Sequence, residues 1–411
     1  MIMSIISKID TLINVSNNLS TDSLQIDSDL IGNVGLANGH PQYCFLLISL
    51  ACYAFLTTIV LAVGIVYLLN KRKKRTKSMD GTIKVKDAVA EIEHTHDLQP
   101  QKNNKIEAFG LDVKDATRSE VPIHNSFATS NSGWTVVGAS VIGKSHISMN
   151  LPCQDYNKYE YLGDGWGVAV TSDGAGSAKH SEIGSKITVE RAVYYFKDVI
   201  NQKEWIKLRK LPTEAEWQNI TFLILKAIRD DIERFATIKG MEFKSLSATI
   251  VVVIHSPIGF LTTHVGDGRA GFKAKDGQWA PLITPHKGEE ANQTLFMTSE
   301  FWNIPYYVAS GVAVPESHVI RCTPQAFTLM SDGCEHTAWL CYQKNKETGM
   351  FYDPNLPFQG FYDPIVEQLY DDVSNEQNKE RWSRFIADGD EAFVNEPDDK
   401  TMIVGVFKEA K

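Results

Sequence analysis

The sequence predicts an α+β chain, with layered β-sheets, helices outside them, and one N-terminal transmembrane helix ahead. Three observations predict it. Two clusters of strand-like segments, Trp134–Thr171 and Ser247–Met330, are separated by two long helical stripes, the pattern of sheets that bury a face under helices. Tyr43–Leu69 is a run of 27 residues without a charge. Strand after strand in the C-terminal part runs into an aspartate beside glycine or a second acid.

Residues 1–42 are polar and rich in Asn, Ser and Asp, with no sustained period, and only Met1–Val15 hints at an amphipathic helix. Tyr43–Leu69 is long enough to span a bilayer with some tilt. It starts too late, and runs too long, for a typical signal-peptide apolar region. Lys71, Arg72, Lys73, Lys74, Arg75 and Lys77 follow at once, six cations in seven residues, whereas Lys8 is the only cation before the span. A basic run elsewhere could mark a nucleic-acid patch; abutting an apolar span it reads as a stop-transfer flank. The expected topology is single-pass in the cell (inner) membrane, with 1–42 outside and 71–411 in the cytoplasm. Residues 70–130, polar and charged, read as a juxtamembrane flank and flexible linker, and 131–411 as the folded domain, starting near Trp134.

Within that domain Trp134–Val141 reads as the first strand and Gly143–Asp155 as a polar loop. Trp166–Thr171 reads as a strand entering the turn Asp173-Gly174-Ala175-Gly176-Ser177. Val189, Ala192, Val193 and Phe196 then mark one helix. Trp217, Ile220, Ile224, Ala227, Ile232 and Phe235 mark a longer one, opened by the acid-rich Thr213–Glu216. Strands return at Ser247–His255 and Gly259–His264, with a hairpin turn at 275–278 and a short strand Phe327–Met330 leading to a helix from about Cys334. Pro354–Pro364 reads as loop, Glu376–Ala387 as helix, and Met402–Phe407 as the closing strand.

Net charge is −9, and residues 131–411 carry 28 basic and 37 acidic side chains, which argues against nucleic acid as a partner. The six cysteines show neither CxxC nor Cys/His zinc spacing and read as reduced thiols.

The chemistry lies in the recurring acids: Ser172-Asp173-Gly174, Gly266-Asp267-Gly268, Ser331-Asp332-Gly333, Asp398-Asp399 and, after a polar loop, Asp155. Asp-Gly alone is an ordinary turn dipeptide. Several of them, each at the end of a strand, can converge at one edge of a sheet into an all-oxygen site. Such a site selects Mg²⁺ or Mn²⁺ over zinc or copper. Two ions about 3.5–4 Å apart would bind a phosphoryl oxygen and acidify a water, the chemistry of a phosphohydrolase.

The ordered set GASVIGKSH…PCQD, VTSDGAGSAKHS, SATIVVV, HVGDGRAG, LMSDGCEH and DDKTMIVGV resembles the metal-dependent type 2C Ser/Thr protein phosphatases, most closely their bacterial branch, over about Trp134 to Phe407. The resemblance implies two packed antiparallel sheets flanked by helices, with a binuclear Mn²⁺ or Mg²⁺ centre between the sheet edges. By the same resemblance Asp173 bridges both ions and Gly174 offers a backbone carbonyl. Asp332 and Asp398 are further ligands, Asp398 in preference to Asp399. Asp155 holds water from the outer shell, and Asp267 contributes to a third ion. Asp173, Asp332 and Asp155 are thus the expected catalytic residues.

Two positions depart from the family. Ala175 stands where many members have a histidine that protonates the leaving group; a metal-bound water, or nearby Lys179 or His180, is the candidate substitute. The phosphate-clamping arginine before the first-motif aspartate is missing, which leaves Lys144 and His146, or else a surface lysine and a loop histidine with no such role. The expected function is a membrane-anchored phosphatase acting on phosphoserine and phosphothreonine in protein substrates, opposed by a Ser/Thr kinase. The alternative is a pseudophosphatase, a tethered binding module without turnover.

Overall fold

Strand patterns with apolar residues on both faces require cover on both sides, and that is how the sheets are placed in the computed structural model. It describes residues 122–408, apart from 276, 288–293, 305, 347 and 370–373. The expectations for 1–42, for the span Tyr43–Leu69 and for most of the 70–130 linker lie outside the described residues. Among the described residues no helix is long and apolar enough to cross a membrane.

In chain order the principal strands are β1 (Ile123–Asn131), β2 (Trp134–Val141), β3 (Tyr156–Gly163), β4 (Trp166–Ser172), β5 (Ile250–Ser256) and β6 (Gly259–Val265). They continue with β7 (Arg269–Ala274), β8 (Trp279–Pro281), β9 (Glu316–Arg321), β10 (Pro324–Met330) and β11 (Lys400–Phe407). One antiparallel sheet has the order β1-β2-β11-β10-β7-β8, and the other β9-β6-β5-β4-β3. The helices are α1 (Lys144–Met149), α2 (Ser181–Gln202), α3 (Glu214–Lys239), α4 (Gln359–Leu369), α5 (Asn375–Asp388) and α6 (Glu391–Asn395).

Alternation along each strand divides the core into layers. Trp134, Ala169, Val251, Val253, Phe260, Phe327, Leu329 and Ile403 fill the space between the sheets. The opposite faces of β4 and β5 send Trp166, Val168, Val170, Ile250, Val252 and Ile254 against α2 and α3. The outer face of the other sheet sends Val137, Ala139, Met402 and Val404 against Phe361, Trp382 and Phe385 of α4 and α5. Each of the larger of these side chains is worth about 1.5–3 kcal/mol on burial, and cover on both faces is why β4 and β5 read as near-continuous apolar runs.

Helix ends follow their sequence signals. Thr213 caps α3 by accepting from the Glu216 N–H at 3.2 Å, and Gly240 closes it in the left-handed region. Ser374 and Gln377 form a reciprocal capping box on α5. The α2 stripe of Val189, Ala192, Val193 and Phe196 is buried as expected. On α3 the buried line is Trp217, Thr221, Leu225, Ile228, Ile232 and Ala236, about one residue off the expected stripe, so Ile220, Ile224 and Phe235 flank it.

Three expectations are corrected, and one, the helix from about Cys334, is met in a short form. The sheet begins at Ile123, inside the stretch read as linker: β1 pairs antiparallel with β2 across a tight turn at Ser132-Gly133, and as an edge strand it needs few apolar residues. Residues 144–149 of the expected polar loop form α1. The helix after Asp332 is one 3₁₀ turn, Asp332–Cys334, plus Glu335–Ala338. The expected loop Pro354–Pro364 runs into α4 with Pro364 inside it, because Phe361, Tyr362, Ile365, Val366 and Leu369 bury one face and outweigh the proline.

Candidate metal centre

Five of the sequence-flagged acids sit at strand ends, and the fold gathers three of them. Asp173 leaves β4, Asp267 occupies the turn between β6 and β7, and Asp332 follows β10. One carboxylate oxygen from each lies within 4.8 Å of the other two, and all three residues are half-buried.

Asp173 is fixed through its backbone. Its N–H donates to Thr249 Oγ1 at 3.0 Å, and its carbonyl accepts from Thr249 N at 2.8 Å. The next ladder bond runs from Ala175 N to Ser247 O, so the Gly174 carbonyl between them stays out of the ladder. A side chain at Gly174 would put Cβ 2.7 Å from the Gln154 carbonyl, so the turn must be glycine to lie against the segment that carries Asp155. Gly333 is constrained harder: its Cβ would stand 2.0 Å from the Asp399 carbonyl oxygen, which brings the Asp332 turn against the Asp398-Asp399 segment.

Asp155 is buried. Its Oδ2 accepts from Ser331 Oγ at 2.7 Å, and Ser331 Oγ in turn accepts from Thr401 N at 3.0 Å. Its Oδ1 is buried with no hydrogen-bond partner, as is Asp332 Oδ1. Asp398 is exposed, while Asp399 is buried and spent on structure. Its Oδ1 accepts from Gly143 N at 2.7 Å and its Oδ2 from Gln154 N at 2.5 Å, clamping both ends of the α1 segment.

Electrostatics mark the group as wanting positive charge. Burial, then repulsion from Asp155, Asp332, Asp398 and Asp267, pushes Asp173 well above the usual carboxylate range. Burial, then Asp267, Asp398 and Glu335, pushes Asp332 up to about 7. Burial likewise raises Asp155 and Asp267, with neighbouring acids adding to each. Carboxylate oxygens alone, two of them buried without partners, packed so that they repel one another, form a donor set that fits hard divalent cations and fits soft metals poorly.

Lys144 and His146 are outside the trio and lie on α1, packed against the 395–399 segment that carries Asp398. Lys144 Nζ is 3.3 Å from Asn395 Oδ1, and His146 is buried with Nδ1 2.9 Å from Asp399 Oδ1, too oblique for a hydrogen bond. Ala175 is buried, Lys179 is exposed, and His180 Nδ1 stands 4.0 Å from Glu182.

Sequence reasoning missed Arg269. It is wholly buried, donating from Nε to Glu335 Oε2, from Nη2 to Asp353 Oδ2 and from Nη1 to Asn355 Oδ1, each at 2.8 Å. It opens β7 opposite Met330, so it ties the Asp267 turn to the Asp332 turn and to the hairpin beyond. The Gly-Asp-Gly-Arg string was its only sequence signal.

A second buried trio, His264, His286 and Glu316, also gathers candidate ligand atoms. The two imidazoles stack with centroids 4.0 Å apart and planes 12° from parallel. Their lone pairs therefore lie in parallel planes that no single ion can share. His264 Nε2 is 3.0 Å from the Thr284 carbonyl, and His286 Nδ1 accepts from Gly266 N at 3.3 Å. Both rings are held neutral by burial. The trio is a packed support for the Asp267 turn.

Fold and site together define a two-sheet sandwich with a carboxylate cluster at the strand ends whose oxygen donors fit divalent cations. The protein phosphatase 2C family profile matches residues 142–384, which takes in Asp155, Asp173, Asp267 and Asp332 and stops short of Asp398. The chain belongs to the protein phosphatase 2C family. Serine/threonine-protein phosphatase 3 of Escherichia coli is 32% identical over 171 residues, 41% of this chain and 64% of that protein, so the chain spans less than two thirds of this relative's length. The solved serine/threonine phosphatase Stp1 of Staphylococcus aureus is 15% identical over 70% of this chain and 98% of its own, at a TM-score of 0.43. The S. agalactiae serine/threonine phosphatase is 14% identical over 67% of this chain and all of its own, at a TM-score of 0.39. Neither superposition adds to the assignment.

Proposed function

We propose that the chain is a membrane-anchored, metal-dependent phosphoprotein phosphatase that hydrolyses phosphoserine and phosphothreonine. The observation that carries this is the approach of the Asp173, Asp267 and Asp332 carboxylates to within 4.8 Å of one another. Repulsion between them stores an electrostatic demand that bound cations satisfy. Family membership and the similarity to serine/threonine-protein phosphatase 3 of Escherichia coli support the same reaction.

Asp173, with Asp332, Asp398 and the Gly174 carbonyl, would hold two Mn²⁺ or Mg²⁺ ions, and Asp267 would add to a third. When bound, such ions polarise a phosphoryl oxygen and acidify water at neutral pH. The chain's own residues supply the rest. Asp155, steadied through Ser331, turns Oδ1 inward as a fixed acceptor that orients water for in-line attack. Asp399 keeps Gly143 and Gln154, and with them Asp155, in register with the Asp332 turn. Tyr43–Leu69 would hold 71–411 at the cytoplasmic face, where an opposing Ser/Thr kinase would make the substrate.

The test is turnover of p-nitrophenyl phosphate and a phosphothreonine peptide by the whole purified chain, with Mn²⁺ and with EDTA. Activity should require Mn²⁺ and fall by about a hundredfold or more in Asp173→Asn. Tight Mn²⁺ binding with no turnover would overturn the enzyme in favour of a pseudophosphatase, the outcome that Ala175 in place of a proton-donating histidine would produce.

A further inference from the structure

The hairpin between the Asp332 turn and α4 plays no part in holding cations, yet the structure mounts it with care. Gln343–Lys344 pairs antiparallel with Phe351–Tyr352. Its base is pinned by the buried Arg269, which holds Asp353 and Asn355, while Asn355 Oδ1 also accepts from Trp339 Nε1 at 3.0 Å. The same arginine holds Glu335, three residues after Asp332. The hairpin and the cation-site turn are therefore one rigid unit.

On this mount sits an exposed aromatic ledge. Tyr342 is 50% exposed, Met350 70% and Phe351 67%, three large side chains side by side on one short hairpin. The ledge is also cationic: Lys344 Nζ lies 5.9 Å from the ring centroid of Phe351, its cross-strand partner. Lys287 Nζ lies 5.6 Å from that of Tyr342 while also pairing with Asp353 Oδ2 at 3.7 Å, so the outward charge rests chiefly on Lys344. The ledge reaches the centre by two routes. Tyr342 stacks on His336, four residues past Asp332, with centroids 5.3 Å apart. Lys287 bridges to Thr294, whose hydroxyl donates to Asp267.

We propose that Tyr342, Phe351, Lys287 and Lys344 form the docking ledge for the polypeptide flanking the phosphorylated residue, and that this flank carries acidic side chains next to an apolar one. This rests on the phosphatase reading above. The chemistry follows from charge: the domain is acidic overall, and here Lys344 stands over an exposed ring, with Lys287 shared between Tyr342 and Asp353, on a hairpin tied to the Asp332 turn. A carboxylate placed near Lys344 gains an ion pair, and an apolar side chain gains the faces of Tyr342 and Phe351. A basic flank would gain neither.

The test uses the whole chain with Mn²⁺ and compares kcat/KM for phosphothreonine peptides, with acidic-apolar or with basic flanks, against p-nitrophenyl phosphate. The acidic-apolar peptide should be the better substrate. The ratio of its kcat/KM to that of p-nitrophenyl phosphate should fall about fivefold in Tyr342→Ala and in Lys344→Glu, mainly through KM, and Lys344→Glu should reverse the flank preference. Equal use of both flanks, or an unchanged ratio in both variants, would overturn the ledge while leaving the phosphatase intact. Absence of turnover of p-nitrophenyl phosphate by the unaltered chain would instead overturn the reading on which the ledge rests.

Discussion

Asp332 carries two opposed demands. Its Oδ1 is buried without a partner, and burial with Asp267, Asp398 and Glu335 nearby lifts its pKa from 3.8 to about 7. In the unfolded chain the same carboxyl ionises near the ordinary value. Between the two pKa values the folded state holds a proton that the unfolded state has released. The group therefore stabilises the fold at low pH, and that contribution is lost as pH rises from about 4 through about 7. Asp173, raised for the same reason, acts in the same direction. A divalent cation reverses the balance, because it favours the ionised form. Calorimetry in EDTA and in Mn²⁺ should show a gap in melting temperature that widens from about pH 5 to about pH 8. A gap independent of pH would mean that these carboxylates are not where Mn²⁺ binds.

The strand β1 shows what an element contributes beyond its own burial. Phe127 lies opposite Gly138 of β2, and a Cβ on Gly138 would meet the Phe127 ring at 2.4 Å, so the ring fills the place of the missing side chain. Phe127 also stacks on Tyr159 of the other sheet, with centroids 5.9 Å apart. A chain cut to begin at Trp134, where the sequence alone places the domain start, would bare the hydrogen-bonding edge of a fully buried strand. Each ladder bond lost is worth about 0.5–1.5 kcal/mol, and the open edge invites pairing between molecules. That truncation should aggregate on size-exclusion chromatography, whereas a chain keeping Pro122 onward should not. Monomeric behaviour with an unchanged melting temperature in the shorter chain would refute a structural role for β1. The same strand explains what was legible. Strands β4 and β5 announce themselves because both faces are buried, while His124–Asn131 is an edge and reads like a linker. In α4 the spacing of Phe361, Ile365 and Leu369 was visible, but Gly360 and Pro364 drew more weight than they carry. The acids of the centre were legible because each ends a strand beside a glycine. The Arg269 clamp was not, because Glu335 and Asn355 lie 66 and 86 residues away and nothing local ties them to it.

For the molecule as a whole, charge and apolarity are segregated along the chain. A 27-residue apolar run is followed by six cations in seven residues, and the domain beyond 131 carries 37 acids against 28 bases. An acidic domain is repelled by an anionic lipid surface, so the basic cluster alone would have to hold it there by short-range attraction. That attraction is screened: the Debye length shrinks from about 10 Å at 0.1 M salt to about 3 Å at 1 M. Insertion of Tyr43–Leu69 would depend on apolar transfer, which high salt does not weaken. The two modes of attachment therefore part under salt. The whole chain should sediment with membranes, stay there in about 1 M salt, and be released only by detergent. A chain without 43–69 that keeps Lys71–Lys77 should leave the membrane fraction at that salt and retain phosphatase activity. If salt alone releases the whole chain, the apolar run does not cross the bilayer, and the basic cluster is a peripheral lipid contact instead of a stop-transfer flank.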